Sequence, residues 1–436
     1  MPTLFHAEQL DSPTHRFDYT NPSITNRNVG KGLGRNGPFD SSTSRDFTDV
    51  TFSIVYPESW RSDAEGFEDA LINGHSSYYP NGFRSFFRMD SVSVANKIEL
   101  DDTDLDTYVD AVDDIQAADD DLAIVFVSDE MRSHGYRSPY WAVKALLTQA
   151  GIPSQMVLIN KLRQHSTHHV PLKYLIVNVV SQIYAKLGGT PWVIHRPRSP
   201  VDLVIGVGKS EYRTGRVGET TRTLGFAAAY QSNGAFLWFD STQATTSYNS
   251  FNDQLTESIV EAAEKYAQQE NAPEHIVVHS YKRLGPAERD AQQQLEAEFD
   301  DLDVTLAHLN DSHDFRIYDD RHRTGLSERG LWIRTGGNKG FVMTGGRRDF
   351  RPGSPVPIEL EVEGSLEIEE IAQGIYDLCS VYWKDQFGSN MPITIKYAED
   401  IADIIENAQK VDDSGVARID IDRMVNPRLR DVPWFL

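Results

Sequence analysis

The chain has 436 residues, of which 39% are hydrophobic and 25% are charged, and its formal net charge is −23. This length and composition predict a globular protein with two or three domains. Because no segment approaches about 18 consecutive apolar residues and the first residues lack a signal-peptide pattern, we expect a cytoplasmic protein without membrane contact. The single cysteine, Cys379, excludes an internal disulfide framework and a multi-cysteine zinc site.

The acidic charge, taken as a sum, disfavours nucleic acid as a partner. Its distribution is more informative, because the chain has 13 lysines and 29 arginines, and acidic pairs such as Asp101-Asp102 lie between apolar segments. Few lysines and abundant aspartates are typical of proteins adapted to high salt. At about 1 M salt the screening length is only about 3 Å, so a local basic pocket could still bind nucleic acid in such a protein.

Residues 1–47 are polar and rich in turn residues, and we predict an N-terminal segment that packs on the last domain. At its centre, residues 30–40 are rich in glycine. A phosphate-binding loop would require a Lys-Ser/Thr ending and a strand-to-helix context, and both are missing here. We therefore predict that residues 30–40 form a structured loop.

Residues 48–188 alternate between short apolar strands and helices. The predicted strands are residues 50–56, 122–127 and 155–159, and the predicted helices are residues 138–150 and 171–187. Buried strands that alternate with helices are typical of a parallel, Rossmann-like sheet.

Residues 189–436 begin with closely spaced strands, including a hairpin with Asn233-Gly234 at its turn. Helices and strands then alternate, and a second hairpin is predicted at residues 331–345. Further helices are predicted near residues 252–269, 286–299, 367–384 and 398–410. Antiparallel hairpins followed by alternating helices and strands are typical of an RNase H-like α/β domain.

The helix at residues 171–187 carries three polar residues, Asn178, Gln182 and Lys186, at intervals of four. This spacing places them on one helix face. One interpretation is a solvated face of an ordinary amphipathic helix. The other is a phosphate site, with lysine as the charge and glutamine as a neutral hydrogen-bonding group.

Four stretches together resemble a known family. They are Ile152-Pro153-Ser154-Gln155 after a helix with Tyr140 and Lys144, Ser181–Gly189 leading into Pro191-Trp192, Asp202–Gly208, and the apolar C-terminal Pro-Trp-Phe-Leu. In this combination the chain resembles a short prokaryotic Argonaute with only the MID and PIWI domains, similar to archaeal Piwi-like proteins. The resemblance implies an α/β fold in which a Rossmann-like MID domain (residues 48–188) packs on an RNase H-like PIWI domain (residues 189–436).

The resemblance also implies a site for the 5′-phosphate of a guide strand. Carried over by motif, its residues are Tyr140, Lys144, Gln155 and Lys186, with Asn178 as a weaker backbone contact. A divalent cation, Mg²⁺ or Mn²⁺, would be held by Gln182 and the C-terminal carboxylate of Leu436, since hard cations prefer oxygen ligands. The alternative for Leu436 is a tail that only fills a hydrophobic groove.

The residues for strand cleavage depart from the family pattern. Gly208 stands where the first catalytic aspartate is expected, and His279-Ser280-Tyr281-Lys282 offers no second acid. Two-metal cleavage requires several carboxylates that converge on the metal ions. The sequence therefore predicts a PIWI domain without nuclease chemistry and no catalytic residues.

The resemblance implies a protein that binds a 5′-phosphorylated guide, RNA rather than DNA, and recognises complementary single-stranded DNA without cutting it. It also implies a heterodimer with an effector protein that replaces the missing N-terminal lobes, acting in defence against plasmids or phage. Two alternatives stay open. One is a stand-alone RNase H-type nuclease using Asp202, Glu399 and Asp400, and the other is an α/β sensor of a phosphorylated small molecule.

One histidine cluster and one arginine cluster lie outside the motifs described above. His165, His168 and His169 resemble a metal cluster, but they lie in a polar segment and are predicted to be structural or solvated. Arg347, Arg348 and Arg351 beside Phe350 are candidates for contact with a nucleic-acid backbone.

Overall fold

The computed structural model describes residues 5–133, 135–163, 172–214, 220–346, 354–412, 419–420 and 424–436. The histidine cluster at residues 165–169 and the arginine cluster at residues 347–351 lie outside these ranges, so their predicted roles stay predictions. None of the helices in the described part of the chain is both long and apolar enough to cross a membrane.

The described strands and helices alternate along much of the chain. The strands are β1 (His6–Gln9), β2 (His15–Arg16), β3 (Thr25–Asn26), β4 (Asp49–Pro57), β5 (Gly74–His75), β6 (Tyr79–Pro80), β7 (Ser91–Leu100), β8 (Leu122–Val127), β9 (Ser154–Leu158), β10 (Val193–Ile194), β11 (Leu203–Thr214), β12 (Thr220–Gln231), β13 (Phe236–Ser241), β14 (His275–Ser280), β15 (Asp303–Asn310), β16 (Leu331–Arg334), β17 (Lys339–Val342) and β18 (Ile358–Glu363). The helices are α1 (Val29–Asn36), α2 (Arg61–Asn73), α3 (Gly82–Phe86), α4 (Leu105–Ala118), α5 (Asp129–Ser133), α6 (Pro139–Ala150), α7 (Ile159–Leu162), α8 (Leu172–Lys186), α9 (Tyr248–Gln269), α10 (Pro286–Glu298), α11 (Ile368–Leu378) and α12 (Ile393–Asp412).

A parallel sheet with strand order β7-β4-β8-β9 forms the first domain. Its central strand β8 is buried along its whole length, which explains the continuous apolar run in the sequence. Alternate side chains of β8 enter two different cores. Ile124 and Phe126 share a core with α2 and α8, whereas Val125 and Val127 share a core with α4 and α6. Helices on both faces of a parallel sheet are the Rossmann-like arrangement predicted from the sequence.

A larger mixed sheet has the strand order β1-β16-β17-β18-β15-β14-β11-β12-β13. The neighbours β11, β14 and β15 are parallel, and the strands on either side of them pair antiparallel. Helices α9 and α10 cover one face, and α11 and α12 share the core of the other face. The N-terminal segment joins this part of the molecule, because β1 pairs with β16 and β2 pairs with β10. The predicted α/β fold class is confirmed.

The glycine-rich segment near residue 30 is a helix, α1, so the prediction of a loop is wrong. The side chain of Asn28 caps the helix by accepting a hydrogen bond from the backbone N–H of Lys31 at 2.9 Å. Val29 and Leu33 are buried on one face. Gly32 is required by packing, since a Cβ there would lie 2.1 Å from the ring of Phe17. Tertiary contacts therefore overcome the low helix propensity of glycine.

Candidate nucleic-acid interface

A short connection between α6 and β9 brings Lys144 and Gln155, two of the predicted phosphate-binding residues, close together. Helix α6 begins after Ser138, whose hydroxyl accepts a hydrogen bond from the backbone N–H of Trp141 at 3.3 Å. It ends at Gly151, whose φ of +80° lets the chain reverse within a few residues into β9. Ser154 and Gln155 at the start of β9 therefore lie beside Lys144 of α6.

Lys144 and Lys186 meet at one backbone carbonyl, that of Ser154. The Nζ atom of Lys186 donates to this carbonyl at 2.8 Å and to Oε1 of Gln155 at 2.8 Å. The Nζ atom of Lys144 donates to the same carbonyl at 3.3 Å and to the carbonyl of Trp434 at 2.7 Å. The two lysines are only 2% and 1% exposed, respectively. The alternative of a solvated helix face is therefore wrong for Lys186.

Burial and neighbouring lysine charges disfavour the charged forms of these lysines. Burial, and then the neighbouring charge of Lys384, lower the pKa of Lys144 to about 7. The pKa of Lys186 lies well below its usual value because of burial and then the charges of Lys144 and Lys384. Buried amines of like charge that face one another form a site in which an anion would be stabilised. Asp400 acts in the opposite direction on both lysines.

Lys384 is the member of this cluster that the sequence interpretation missed. It lies between α11 and α12, and its Nζ atom donates to the carbonyl of Phe435 at 3.3 Å. It also forms an ion pair with Asp400 at 2.8 Å. Three of the 13 lysines of this chain therefore meet here. The scarcity of lysine was the available signal, but no local motif linked Lys384 to the other two.

The C-terminal tail is part of the same site. Trp434, Phe435 and Leu436 are 1%, 2% and 6% exposed. The ring of Phe435 packs on Tyr397 with the centroids 5.3 Å apart, and Trp434 packs on Phe239 at 5.8 Å. The carbonyls of Trp434 and Phe435 accept hydrogen bonds from two of the pocket lysines. The tail is thus both a hydrophobic anchor and a wall of the lysine pocket, and its terminal carboxylate follows directly on the Phe435 carbonyl.

Gln155 and Tyr140 lie at the pocket in different ways. Gln155 is buried, and its amide donates to the carbonyl of Met156 at 3.1 Å while its oxygen accepts from Lys186. These two bonds fix the orientation of the amide. Tyr140 is half-buried, and the guanidinium of Arg132 lies 5.5 Å from its ring centroid. The Tyr140 ring thus contacts the Arg132 guanidinium and also the ring of Trp141, with the two ring centroids 4.5 Å apart.

Asn178 and Gln182 are half-buried on the same face of α8. The side-chain oxygen of Asn178 accepts a hydrogen bond from the backbone N–H of Gln386 at 3.2 Å, which ties α8 to the segment that carries Lys384. The amide of Gln182 donates to the carbonyl of Asn178 at 3.1 Å. This bond uses the nitrogen of Gln182, so its oxygen is the atom suited to a cation.

The protein provides few ligands for a cation at this site. No group of three or more His, Cys, Asp or Glu side chains among the described residues could hold a metal ion. Gln182 and the carboxylate of Leu436 are oxygen donors of the kind that Mg²⁺ prefers. As donor types they suit a cation whose remaining ligands would come from phosphate oxygens and water.

The position of the missing first acid is closed by an aromatic ring. A Cβ on Gly208 would lie 2.3 Å from the ring of Phe226 and 3.1 Å from the Cβ of Ala398. Phe226 is fully buried and lies opposite Gly208 in the β11–β12 pairing. An aspartate at residue 208 would therefore require Phe226 to move.

The acids of the proposed rearranged nuclease do not converge, so that set is wrong. The carboxylate of Asp202 accepts from the backbone N–H groups of Glu274 and His275, just before the first residue of β11, whereas Gly208 lies in the middle of that strand. At about 3.3 Å per residue, Asp202 and Gly208 lie about 20 Å apart along the strand. Glu399 pairs with Lys396 at 2.7 Å, whereas Asp400 pairs with Lys384 of the lysine pocket.

Comparisons with known proteins agree with this architecture. Residues 124–318 match the model of the Piwi domain. The chain is 24% identical to a protein argonaute of Cereibacter sphaeroides over 93% of its own length and 56% of the relative. It is also 24% identical to a Piwi protein of Archaeoglobus fulgidus, over 69% of this chain and 73% of the relative.

Solved structures share the fold at low sequence identity. Clostridium butyricum Argonaute bound to a guide DNA and a 19-mer target DNA matches with a TM-score of 0.72 and 18% identity, over 92% of this chain and 53% of that chain. Drosophila Piwi matches with a TM-score of 0.72 and 16% identity, over 99% of this chain and 56% of the Piwi chain. The chain thus spans about half the length of the argonaute relative and of these solved structures. Residues 124–318 thus match the Piwi domain, and the chain shares the fold of the solved Argonaute and Piwi structures.

Proposed function

We propose that this protein binds the 5′-phosphorylated end of a short guide strand, RNA rather than DNA, in the pocket formed by Lys144, Lys186 and Gln155. The observation that carries the proposal is the pair of buried lysines that donate to the Ser154 carbonyl and whose pKa values are lowered, first by burial and then by neighbouring lysine charges. Such a pair is costly in the free protein and is compensated by a bound anion with two negative charges. A terminal phosphate supplies that charge, whereas an internal phosphodiester carries only one.

The other pocket groups have complementary roles in this proposal. Gln155 and Tyr140 would supply neutral hydrogen bonds, and the half-buried ring of Tyr140 would stack on the first base. Lys384 adds positive charge beside the tail. A divalent cation, Mg²⁺ or Mn²⁺, would be held by Gln182 and the carboxylate of Leu436 and would add charge compensation for the phosphate.

The guide would pair with complementary DNA that the protein does not cut. Base pairing supplies the sequence specificity, while the protein holds the guide end and the backbone. The absence of cleavage is supported by Gly208, by the Phe226 ring that fills the space beside it, and by the separation of Asp202 from Glu399. A solved relative holds a guide DNA and a target DNA, which supports nucleic acid as the ligand class.

We further propose that the chain acts with a separate effector protein, in defence against plasmids or phage. The solved relatives are about twice as long as the part they share with this chain. A partner that supplies the remaining lobes and an effector activity would complete such an assembly. Co-expression with candidate partners, followed by size-exclusion chromatography with and without guide and target, tests this part of the proposal.

The decisive experiment compares guides with a 5′-phosphate and a 5′-hydroxyl. Each charge-assisted contact is worth about 1.5–3 kcal/mol, so the double variant Lys144→Ala with Lys186→Ala should lose the preference for 5′-phosphate. Lys410→Ala on the exposed face of α12 is the matched control and should keep it. A double variant that still prefers 5′-phosphate would show that the phosphate binds elsewhere. Binding of phosphorylated small molecules without any nucleic acid affinity would favour the sensor alternative instead.

A further inference from the structure

A second cavity lies at the position where the catalytic acids are missing. It has a volume of about 290 Å³ and lies between the middle of β11, the end of β14 and the helices α9, α10 and α12. Its floor is formed by Gly208 and Phe226, and its walls include Phe251 and Leu255 of α9. The size lies at the lower end of the range for small-ligand sites, which suits one small ligand or one unit of a polymer.

The cavity is separate from the lysine pocket, although α12 lines both. Glu399 and Asp403 face the cavity. Asp400, by contrast, pairs with Lys384 in the lysine pocket. The two sites therefore lie on different sides of one helix and can be altered independently.

Aromatic side chains form one side of the cavity and its mouth. Tyr248 and Phe251 are three residues apart on α9, so they lie on the same face of that helix. Phe251 is buried, but Tyr248 is 65% exposed at the cavity mouth. An exposed aromatic ring above a buried one is a suitable surface for a planar aromatic ligand.

Cationic side chains lie at the rim. Lys282 and Arg283 follow directly on β14, line the cavity and are exposed to solvent. In a chain with a net charge of −23, two adjacent cations at a cavity mouth favour an anionic group there. Glu399 on the opposite wall is an acceptor for an amino group.

We propose that this cavity binds one nucleotide, with its base against Tyr248 and Phe251 and its phosphate at Lys282 and Arg283. The base brings the flat aromatic surface, and the phosphate brings the negative charge that the rim favours. The nucleotide is either free in solution or one unstacked residue of a bound strand. The second case rests on the proposed function, whereas the first does not.

The first experiment titrates the untagged chain with AMP, CMP, GMP and UMP by calorimetry, and with the matching nucleosides. At least one monophosphate should bind saturably and more tightly than its nucleoside. Tyr248→Ala should weaken that binding about tenfold. Tyr318→Ala is the matched control, because Tyr318 is a similarly exposed tyrosine (66%) that does not line the cavity, and it should leave the affinity unchanged. Lys282→Gln should remove the advantage of the monophosphate over the nucleoside.

The double variant Lys144→Ala with Lys186→Ala distinguishes binding in this cavity from binding in the lysine pocket. Monophosphate binding that survives in the double variant and is weakened by Tyr248→Ala assigns the ligand to the cavity. Monophosphate binding that is lost in the double variant and unaffected by Tyr248→Ala assigns the ligand to the lysine pocket and overturns the proposal for free nucleotides.

The second experiment places 2-aminopurine at successive positions of a guide–target pair. If an unstacked residue of the strand enters the cavity, one position should show a fluorescence change on binding that Tyr248→Ala abolishes and Tyr318→Ala does not. A Tyr248-dependent signal in the strand without free monophosphate binding identifies the strand as the source. No saturable monophosphate binding and no Tyr248-dependent signal at any position would overturn the proposal.

Discussion

The pH dependence of guide binding is a direct consequence of the buried lysine pair. The pKa of Lys144 in the free protein is about 7, because burial and Lys384 disfavour its charged form. A phosphate bound beside it stabilises the charged form and raises this pKa. Above pH 7, therefore, binding requires uptake of a proton, and the affinity for a 5′-phosphorylated guide should fall as the pH rises.

The size of the effect follows from the fraction of charged lysine. Between pH 7 and pH 9, the charged fraction of a group with a pKa of about 7 falls about fiftyfold, from one half to about one hundredth. If the bound-state pKa exceeds 9, the affinity for the 5′-phosphorylated guide should fall by a similar factor, and Lys186 acts in the same direction. Below about pH 6 the phosphate itself gains a proton, which opposes binding.

Fluorescence polarisation with 5′-phosphate and 5′-hydroxyl guides of one sequence, at pH 6 to 9 and constant salt, measures the effect. Only the 5′-phosphate curve should depend steeply on pH above 7. Calorimetry in buffers of different ionisation enthalpy should show proton uptake at pH 8. Parallel curves for the two guides, without proton uptake, would refute the assignment of Lys144 to the phosphate.

The variant Lys144→Met tests the same reasoning through stability. The pKa of Lys144 in the folded state is lower than the ordinary lysine pKa of 10.5, so the folded state binds fewer protons than the unfolded state between pH 7 and 10.5. The free energy of unfolding therefore rises with pH between pH 7 and 10.5. The destabilising effect of Lys144 is fully present once the pH has fallen below about 7. At pH 7, lowering the pKa of Lys144 from 10.5 to about 7 corresponds to a penalty of about 4 kcal/mol in the free energy of unfolding.

Methionine removes this penalty and the two hydrogen bonds of Nζ, each worth about 1 kcal/mol. The free variant should thus be about 2 kcal/mol more stable than the wild type in urea unfolding at pH 7, while its preference for 5′-phosphate falls. Lys410→Met, at an exposed position, should change neither property. A less stable Lys144→Met variant would show that the lysine is stabilising in the free fold.

Further predictions concern target cleavage at Gly208, the C-terminal tail and Lys384. Purified protein with guide, target and Mg²⁺ or Mn²⁺ should leave the target uncut on a sequencing gel, and single-site cleavage would contradict this. Gly208→Asp should not restore cutting and should lower the free energy of unfolding by about 2 kcal/mol or more, because the new side chain overlaps the Phe226 ring. A tag after Leu436 should weaken 5′-phosphate guide binding, an N-terminal tag should not, and EDTA should weaken 5′-phosphate guides more than 5′-hydroxyl guides. If the two tagged proteins bind 5′-phosphate guides equally well and EDTA has no effect, the tail is only a hydrophobic anchor and Gln182 holds no metal. Lys384→Ala should raise the pKa of the remaining lysines, which would appear as a pH profile displaced to higher pH.

The sequence alone determined the local structure around the pocket and the residue types in it. The boundaries of α6, β9 and α8 follow from apolar periodicity and from the terminating Gly151 and Gly188, which are local signals. The resemblance then supplied Lys144, Gln155 and Lys186, and the structure places all three in hydrogen-bonding contact around Ser154. The absence of an acid at Gly208 was likewise readable without coordinates.

Only the tertiary structure decided which side chains share a site and how deeply they are buried. Lys384 joins the lysine pocket from a distant segment of the chain. Asp202 lies far from Gly208, because it precedes the first residue of β11 and binds the backbone of Glu274. Residues near position 30 form a helix because Asn28 caps it and Phe17 packs against Gly32. Periodicity and capping act within a few residues of the chain. Burial, by contrast, depends on segments hundreds of residues apart, and burial is what lowers the pKa of the lysines and makes their pocket suited to an anion.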